Sequence, residues 1–532
     1  MRPPTSQPVP ASVRHYLLTG VFCTGAVVLC LELVGARVIG PFYGTSLYCW
    51  AAVITVTMIA LAAGYALGGR AADRDPDPAL FAKLTAFAAV AVALVPVLRV
   101  PVLKASASLG VRLGALTSSA VLLGPALALL GALGPIVMRA TTRDLSRVGT
   151  RAGEVMAVST VGSVLGAVAS GFFLIPNLRV PVILHGLAAL LLALAGAGFW
   201  VIRGKTPWRT AGALAAVLAL AWASARPVRD GMLFSRQSPY GEIMVFDVDG
   251  LRYLLVDGVT QSVARPRKDA GAAPAAGRTL PPLESDSPYL HTLELAAKLR
   301  PGTKRALFIG SGAGQLPLAF EAFHAIPSDV VEIDPVMLEA AAFFGDIAQG
   351  LGKTYVEDGR SFLEGGGRTY DIVILDAFVG ENPPYQLFTK ESFQAARKAL
   401  SPGGVLAANL VSLVASERDQ AWAAVYKTMR SVFPETRAYL ASEPYKGLAN
   451  IVFFCSDRPL AEDLARASLD SRREVREGSS FALEHELTPS PDELGRAVVL
   501  TDDFAPVESL LSSTALAWRK VVQDTAGEAV LR

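Results

Sequence analysis

The segment RALFIGSGAGQ, residues 305–315, places three glycines at alternate positions directly after a short apolar run. The apolar run predicts a buried strand. The glycines, Gly310, Gly312 and Gly314, predict a turn whose backbone can approach a ligand closely. A strand, a glycine-rich turn and a helix in succession are typical of a site for a nucleotide or an adenosyl group. The pattern is weak alone, so its meaning depends on the sequence around it.

Strand and helix patterns alternate through the C-terminal part of the chain. Further strands are predicted in DVVEID, TYVED, YDIVILD and GGVLAANL, and two late strands in TRAYLA and NIVFFC. This alternation predicts a parallel sheet with helices on both faces, and the late pair suits a hairpin with an antiparallel last strand. Residues 301–532 are therefore predicted to form an α/β Rossmann-like domain, and this layout resembles the S-adenosylmethionine-dependent transferase fold.

Acidic residues stand at the ends of three successive predicted strands. Ligands of open parallel sheets bind beyond the carboxyl ends of the strands. Glu332 closes the second strand and is predicted to accept both ribose hydroxyls. Asp358, followed by Gly359, comes after the third strand and is predicted to accept a hydrogen bond from an adenine amine. Asp376 closes the fourth strand. The alternative is that these residues belong to ordinary turns and cap helices.

The first 225 residues differ in composition from the rest. Hydrophobic residues make up 52% of the whole chain and charged residues 18%, and acidic residues are sparse in this part. Six apolar stretches approach the roughly 20 residues that a helix needs to cross a bilayer. They are Tyr16–Ala36, Leu47–Leu67, Phe81–Leu98, Leu113–Met138, Glu154–Ile175 and Val180–Ile202. A seventh, Thr210–Ala225, is short enough either to span or to lie at the interface. Residues 1–229 are thus predicted to form a transmembrane domain of six or seven helices.

Arginines in the loops predict the orientation of these helices. The loops after the second, fourth and sixth predicted helices carry the basic residues, which favours a cytoplasmic position for them and for the N-terminus. With six spans the C-terminal half is cytoplasmic, and with seven it is exported. We expect the cytoplasm, because adenosyl ligands are made there. The net charge of +2 gives no indication of a nucleic-acid partner, and the spacing of the four cysteines excludes a zinc site.

Residues 230–300 read as a small β-strand subdomain. The segment EIMVFDVDGLRYLLVDG predicts two strands joined at Asp249 and Gly250, since Asp-Gly between alternating strands is a strong hairpin signal. Residues 265–284 are rich in alanine, proline and glycine and predict a flexible insert. A helical pattern then runs from Tyr289 to Arg300.

Taken together, these segments resemble the spermidine synthase (polyamine aminopropyltransferase) family over roughly Ser238–Glu508. The similar segments are YLLVDGVTQS, SPYLHTLEL, VVEIDP, EDGRSFL, YDIVILDAF and LTDDFAPVE. In the N-terminal half, GYALGGRAADR from Gly64 resembles the loop between the second and third helices of major facilitator transporters. The chain is therefore similar to members of the family that carry a transporter-like membrane segment.

The resemblance implies a membrane-bound enzyme that moves an aminopropyl group from decarboxylated S-adenosylmethionine to putrescine or another amine. It implies that Asp376 takes a proton from the amine, that Tyr289 orients the amine, and that Gln261 contacts the substrate. No metal is expected, because a sulfonium is already a good leaving group. Members of the family are often dimers, so a homodimer is expected.

Four positions depart from the family pattern, and one of them is His291, which replaces the glutamate of the tyrosine segment. The aspartate of the glycine loop is Ala313, the last glycine of that loop is Gln315, and the second aspartate of the catalytic segment is Val379. The change at Ala313 removes the usual partner of the aminopropyl ammonium. Two alternatives therefore stay open. One is a methyltransferase that uses S-adenosylmethionine itself, and the other is a transporter or sensor that binds a polyamine or adenosyl ligand without turnover.

Overall fold

A computed structural model describes residues 10–43, 47–142, 148–204, 208–224, 231–266, 283–300, 302–345, 347, 350–378, 383–414, 421–511, 513–514 and 517–518. Contacts between Cα atoms divide the chain into two compact units, Met1–Val228 and Arg229–Leu531. The finer division between residues 230–300 and 301–532 stays a prediction.

The described residues of the N-terminal unit form helices joined by short connections. Its helices are α1 (Ala11–Tyr43), α2 (Leu47–Arg74), α3 (Ala79–Ser106), α4 (Gly110–Leu122), α5 (Gly124–Thr141), α6 (Val148–Ala169), α7 (Ile175–Asn177), α8 (Val180–Arg203) and α9 (Trp208–Ser224). Within the part of the chain that the structure describes, six helices are long and apolar enough to cross a membrane. The apolar part of α9, Thr210–Leu220, is shorter than these six.

The structure corrects the predicted span Leu113–Met138, which is not one helix. Helix α4 ends at Leu122, Leu123 has φ −105° and ψ −33°, and α5 begins at Gly124. Pro125 explains the break, because proline donates no backbone hydrogen bond and its ring clashes with the preceding turn of a helix.

The segment GYALGGRAADR, which resembles a loop between two transporter helices, is helical here. Helix α2 continues to Arg74 and contains the whole segment. Two of its glycines serve packing: a Cβ on Gly64 would lie 2.2 Å from the carbonyl oxygen of Ala128, and one on Gly68 would lie 2.5 Å from the Cα of Ala132. Glycine at such contacts lets two helix backbones approach closely, as in packed membrane bundles.

The C-terminal unit begins with a five-stranded antiparallel sheet in sequence order. Its strands are β1 (Met232–Gln237), β2 (Glu242–Val248), β3 (Leu251–Val256), β4 (Val259–Pro266) and β5 (Leu283–Ser285). The predicted hairpin is confirmed, with Asp249 and Gly250 at φ 51° and 77° between β2 and β3. Most of the predicted flexible insert at 265–284 lies outside the described residues.

The second sheet has eight strands in the order β13-β11-β12-β10-β9-β6-β7-β8. They are β6 (Ala306–Ile309), β7 (Ser328–Glu332), β8 (Thr354–Val356), β9 (Tyr370–Leu375), β10 (Leu400–Leu413), β11 (Glu435–Leu440), β12 (Leu448–Ser456) and β13 (Glu486–Leu487). Strands β6 to β10 are parallel to one another, whereas β12 runs antiparallel between β10 and β11. The predicted fold class is confirmed.

Helices cover both faces of this sheet and bury two apolar clusters against it. They are α10 (Pro288–Glu294), α11 (Gln315–His324), α12 (Pro335–Ala341), α13 (Gly359–Glu364), α14 (Lys390–Ala399), α15 (Ala421–Arg430), α16 (Ala461–Leu469), α17 (Arg473–Glu484), α18 (Pro491–Arg496) and α19 (Val507–Leu510). The chain runs from β6 outward to β8 and then returns to β9 on the other side of β6. A crevice at the carboxyl ends of β6 and β9 follows from this reversal of strand order.

Candidate active site

The glycine turn lies at this reversal of strand order. Gly310, Gly312 and Gly314 have φ values of 93°, 47° and 71°, which L side chains rarely adopt. A Cβ on Gly310 would lie 2.3 Å from the carbonyl oxygen of Asp376, so the ends of β6 and β9 are in direct contact here. The turn therefore places backbone without side chains next to Asp376, at the end of β9.

Glu332, at the end of β7, is fixed by three hydrogen bonds. Its Oε2 accepts from the backbone N–H and the hydroxyl of Ser311, both at 2.9 Å, and its Oε1 accepts from the backbone N–H of Asp334 at 3.0 Å. Burial raises the pKa of Glu332, and these donors oppose the rise. A carboxylate has about four acceptor sites, so one site on Oε1 is open here. A second site opens on Oε2 if the Ser311 hydroxyl donates instead to the carbonyl oxygen of Gly312, which lies 3.3 Å away. The orientation of Glu332 is therefore set before any ligand arrives.

Asp358 caps a helix, which was the alternative interpretation of these acidic residues. Its Oδ1 accepts a hydrogen bond from the backbone N–H of Ser361 at 2.9 Å, at the start of α13. It also lines the same cavity as Glu332. Gly359 follows in the first turn of α13, and a Cβ there would lie 2.3 Å from the Cγ2 of Ile309. Capping and ligand contact are compatible, since only one carboxylate oxygen is used by the cap.

Asp376, Tyr289 and Asn409 form one hydrogen-bonded group. The hydroxyl of Tyr289 donates to Oδ2 of Asp376 at 3.3 Å, and Nδ2 of Asn409 donates to Oδ1 at 3.0 Å. Burial raises the pKa of Asp376 to about 6, against the two hydrogen bonds that lower it. Burial and the Asp376 charge raise the pKa of Tyr289 well above its ordinary value. Asp376 is thus a carboxylate whose pKa lies close to neutral pH, as general bases require.

Two adjoining cavities meet at this group. The first, here called the donor cavity, encloses about 1120 Å³ counted to its open mouth. It is bordered by the glycine turn and by Tyr240, Gln261, Tyr289, Glu332, Asp358, Gly359 and Asp376. The second, here called the acceptor cavity, shares Gln261, Tyr289 and Phe378 with the first and adds Asp286, Asn409, Glu443 and Trp518. The structure therefore places every site residue predicted from the sequence at the donor cavity except Gly314, which lies in the glycine turn but does not border the cavity.

Asn409, Ser311 and Tyr240 were missed by the sequence reasoning. Asn409 had a detectable signal, because it is a polar residue inside the otherwise apolar strand β10, and buried polar groups need a partner. Its Oδ1 is buried and has no hydrogen-bond partner among the described residues. Ser311 and Tyr240 offered no comparable signal, since serine and tyrosine are ordinary residues of turns.

Replacing Asn409 by alanine is expected to shift the pH dependence of the reaction. The hydrogen bond from Asn409 lowers the pKa of Asp376, so its loss raises that pKa above about 6. A carboxylate base works only when it is ionised, and the acidic limb of the pH–rate profile should move to higher pH. If the variant loses activity but the acidic limb of its pH–rate profile stays at the wild-type pH, Asn409 contributes only to packing.

The departures from the family pattern have different outcomes. Ala313 is 2% exposed, and its methyl group packs into an apolar cluster that includes Val245, Leu254 and Phe344. Gln315 begins α11 and lines the donor cavity. Val379 lies outside the described residues. No carboxylate therefore replaces the missing aspartate at position 313.

Comparison with known proteins identifies the family to which this sequence belongs. Residues 292–462 match the spermine/spermidine synthase domain. A polyamine aminopropyltransferase from Vibrio vulnificus is 30% identical over 233 residues, which are 42% of this chain and 75% of that protein. The chain belongs to the spermidine synthase family. Its relatives in the family include transferases of the spermidine synthase class, as the resemblance predicted.

This chain is also similar to a protein that is named for another activity. An N-terminal histidine N-methyltransferase from Emericella nidulans is 28% identical over 234 residues, which are 40% of each protein. This chain thus spans less than half the length of that relative. Spermidine synthase from Thermotoga maritima, whose crystal structure is known, has 22% sequence identity to this chain. The structural match covers 50% of this chain and 87% of that one, with a TM-score of 0.37.

Proposed function

We propose that this chain is a membrane-bound transferase that moves an alkyl group from an adenosyl sulfonium to an amine. The observation that carries the proposal is the position of Asp376, whose carboxylate borders the donor cavity and is bonded to residues of the acceptor cavity. A base at this boundary touches the reacting nitrogen from one side while the sulfonium carbon lies on the other.

The reaction is a nucleophilic displacement. The lone pair of the neutral amine forms a new C–N bond, the C–S bond breaks, and its electron pair returns to sulfur as a neutral thioether. The amine proton passes to Asp376 and then to water. Amines of this kind are mostly protonated at pH 7, so a carboxylate that removes the proton and holds the amine in line supplies both base catalysis and orientation.

Each predicted site residue takes a role in this scheme. Glu332 accepts hydrogen bonds from the ribose hydroxyls. Asp358 accepts a hydrogen bond from the adenine amine through Oδ2, because Oδ1 caps α13. Gly359 has no side chain and so leaves room for the adenine ring. The glycine turn accommodates the sulfonium end. Tyr289 and Gln261, which border both cavities, position the amine.

The acceptor cavity favours a cationic substrate. Glu443 and Asp286 both border it, although Asp286 also pairs with Arg265 at 3.1 Å. Negative side chains at a cavity wall raise the local concentration of a positively charged amine. Putrescine, or another amine with a second positive charge, is therefore the acceptor class that we propose.

Two donors are compatible with the proposed transfer. Decarboxylated S-adenosylmethionine would give the aminopropyl transfer named for the Vibrio relative. S-adenosylmethionine itself would give methyl transfer, and the specific observation in its favour is that Ala313 leaves no carboxylate to hold an aminopropyl ammonium. Asp376 can remove the proton from the amine whichever donor is bound.

We place the N-terminal unit in the membrane, with the transferase unit in the cytoplasm. Six described helices have the length and hydropathy for spanning, and the arginine-rich loops favour a cytoplasmic N-terminus. The unit anchors the enzyme or delivers its acceptor. A homodimer, implied by the family resemblance, is part of the same proposal.

Mass analysis of products tests the proposed function. Purified full-length protein is incubated with each donor in turn and with a mixture of amines, and the amine products and thioether nucleosides are weighed. The proposal expects an alkylated amine and an equal amount of thioether. Ligand binding without any product would instead favour the transporter or sensor alternative.

A further inference from the structure

The first residue of α11 borders the donor cavity and is a glutamine, whereas the family pattern has a glycine there. Gln315 is the first residue of this ten-residue helix, and it lines the cavity beside Gly314. Both atoms of its side-chain amide, Oε1 and Nε2, are buried and have no hydrogen-bond partner among the described residues. Buried polar atoms without partners are rare and costly in native proteins, so each needs an explanation.

Gln315 also borders a small cavity lined by Glu284, Glu294 and Arg472, in which Glu294 pairs with Arg472 at 2.8 Å. The first turn of α11 contains no acidic residue, and its N-cap is Gly314, which has no side chain to form a capping bond. The residue two positions earlier, Ala313, packs its methyl group into an apolar cluster. Free amides and the positive end of a helix dipole favour an anionic group at this position.

The two unpaired atoms of Gln315 are one acceptor and one donor. A primary ammonium can satisfy Oε1 but has nothing to offer Nε2, because it carries only donors. A carboxylate can satisfy Nε2 alone. A ligand end that carries both groups satisfies the whole amide, and the amino-acid end of S-adenosylmethionine carries both.

We propose that Gln315 recognises the amino-acid end of intact S-adenosylmethionine, so that the donor keeps its carboxylate. Oε1 accepts from the ammonium, and Nε2 and the α11 amides donate to the carboxylate. The inference rests on the proposed function, in which the donor cavity binds an adenosyl sulfonium. It decides between the two donors that the proposed function leaves open.

Calorimetry on the purified full-length protein tests the inference with three probes. They are S-adenosylmethionine, its decarboxylated form, and methylthioadenosine, which lacks the amino-acid end. We expect the intact donor to bind the wild type at least about ten-fold more tightly than the other two, since hydrogen bonds to charged groups are worth about that factor. The change Gln315→Glu keeps the size of the side chain and opposes the ligand carboxylate, so it should reverse this preference.

The control is Gln394→Glu, which makes the same change on an exposed position of α14. It should leave all three affinities unchanged. Equal or tighter binding of the decarboxylated form by the wild type would overturn the inference, as would a Gln315→Glu variant that folds and keeps the wild-type preference. If none of the three probes binds the wild type, the proposed function itself fails.

Discussion

Replacing Asp376 by asparagine is expected to lower turnover roughly 100- to 10,000-fold, the usual contribution of a positioned acid or base. Asparagine keeps the shape of the side chain and its place between Tyr289 and Asn409, but it cannot take a proton from the amine. Affinity for the adenosyl donor should change only a few-fold, because the donor contacts lie mainly on Glu332 and the glycine turn. Single-turnover rates and donor titrations on the same preparation measure the two effects separately.

The pH dependence gives this prediction a second readout. Burial raises the pKa of Asp376 to about 6, so its carboxylate is protonated and inactive at lower pH. Wild-type activity should rise with pH through about 6, and this limb should be missing in the variant. The control is Asp457→Asn, at an exposed residue that pairs with Arg397. An Asp376→Asn variant with wild-type turnover would remove Asp376 from the mechanism.

Replacing Gly310 by alanine is expected to damage the site and the stability of the C-terminal unit together. The backbone of Gly310 has φ 93°, a conformation that costs a residue with a side chain about 1–3 kcal/mol. The added Cβ would also lie 2.3 Å from the carbonyl oxygen of Asp376 and 2.9 Å from the Cα of Ala377. Backbone cannot yield as a flexible side chain does, so β6 and β9 must separate.

A shift of about 1 Å in a catalytic group can cost roughly 100-fold in rate. We therefore expect Gly310→Ala to lose donor affinity and turnover and to unfold at a lower temperature than the wild type. The matched control is Gly495→Ala, where a Cβ would meet no atom within 4 Å. Calorimetric melting and donor titration of both variants test this, and a Gly310→Ala protein with wild-type affinity would show that the turn does not hold the donor.

The sequence was most informative where one residue type answers one physical need. Glycines at positive φ, carboxylates after buried strands and an Asp-Gly turn each have few alternatives, so Gly310, Glu332 and the hairpin at Gly250 could be predicted. The order of strand and helix patterns similarly predicted the parallel sheet, because short βα connections permit few other arrangements.

The features that were missed depend on contacts between distant segments. Asn409 becomes part of the site only because β10 lies beside β9. The sequence around position 409 does not indicate that its hydrogen-bond partner is Asp376. The short strands β5 and β13, of three and two residues, carry no periodic signal of their own. The break at Pro125 was hidden because the apolar composition continues across it.

A structure of the protein with bound S-adenosylhomocysteine shows whether the donor cavity holds the adenosyl donor beside Asp376. We expect the ribose hydroxyls on Glu332, the adenine beside Asp358, and the sulfur in the donor cavity facing the carboxylate of Asp376. A ligand bound elsewhere, or one bound here with its sulfur turned away from Asp376, would contradict this expectation.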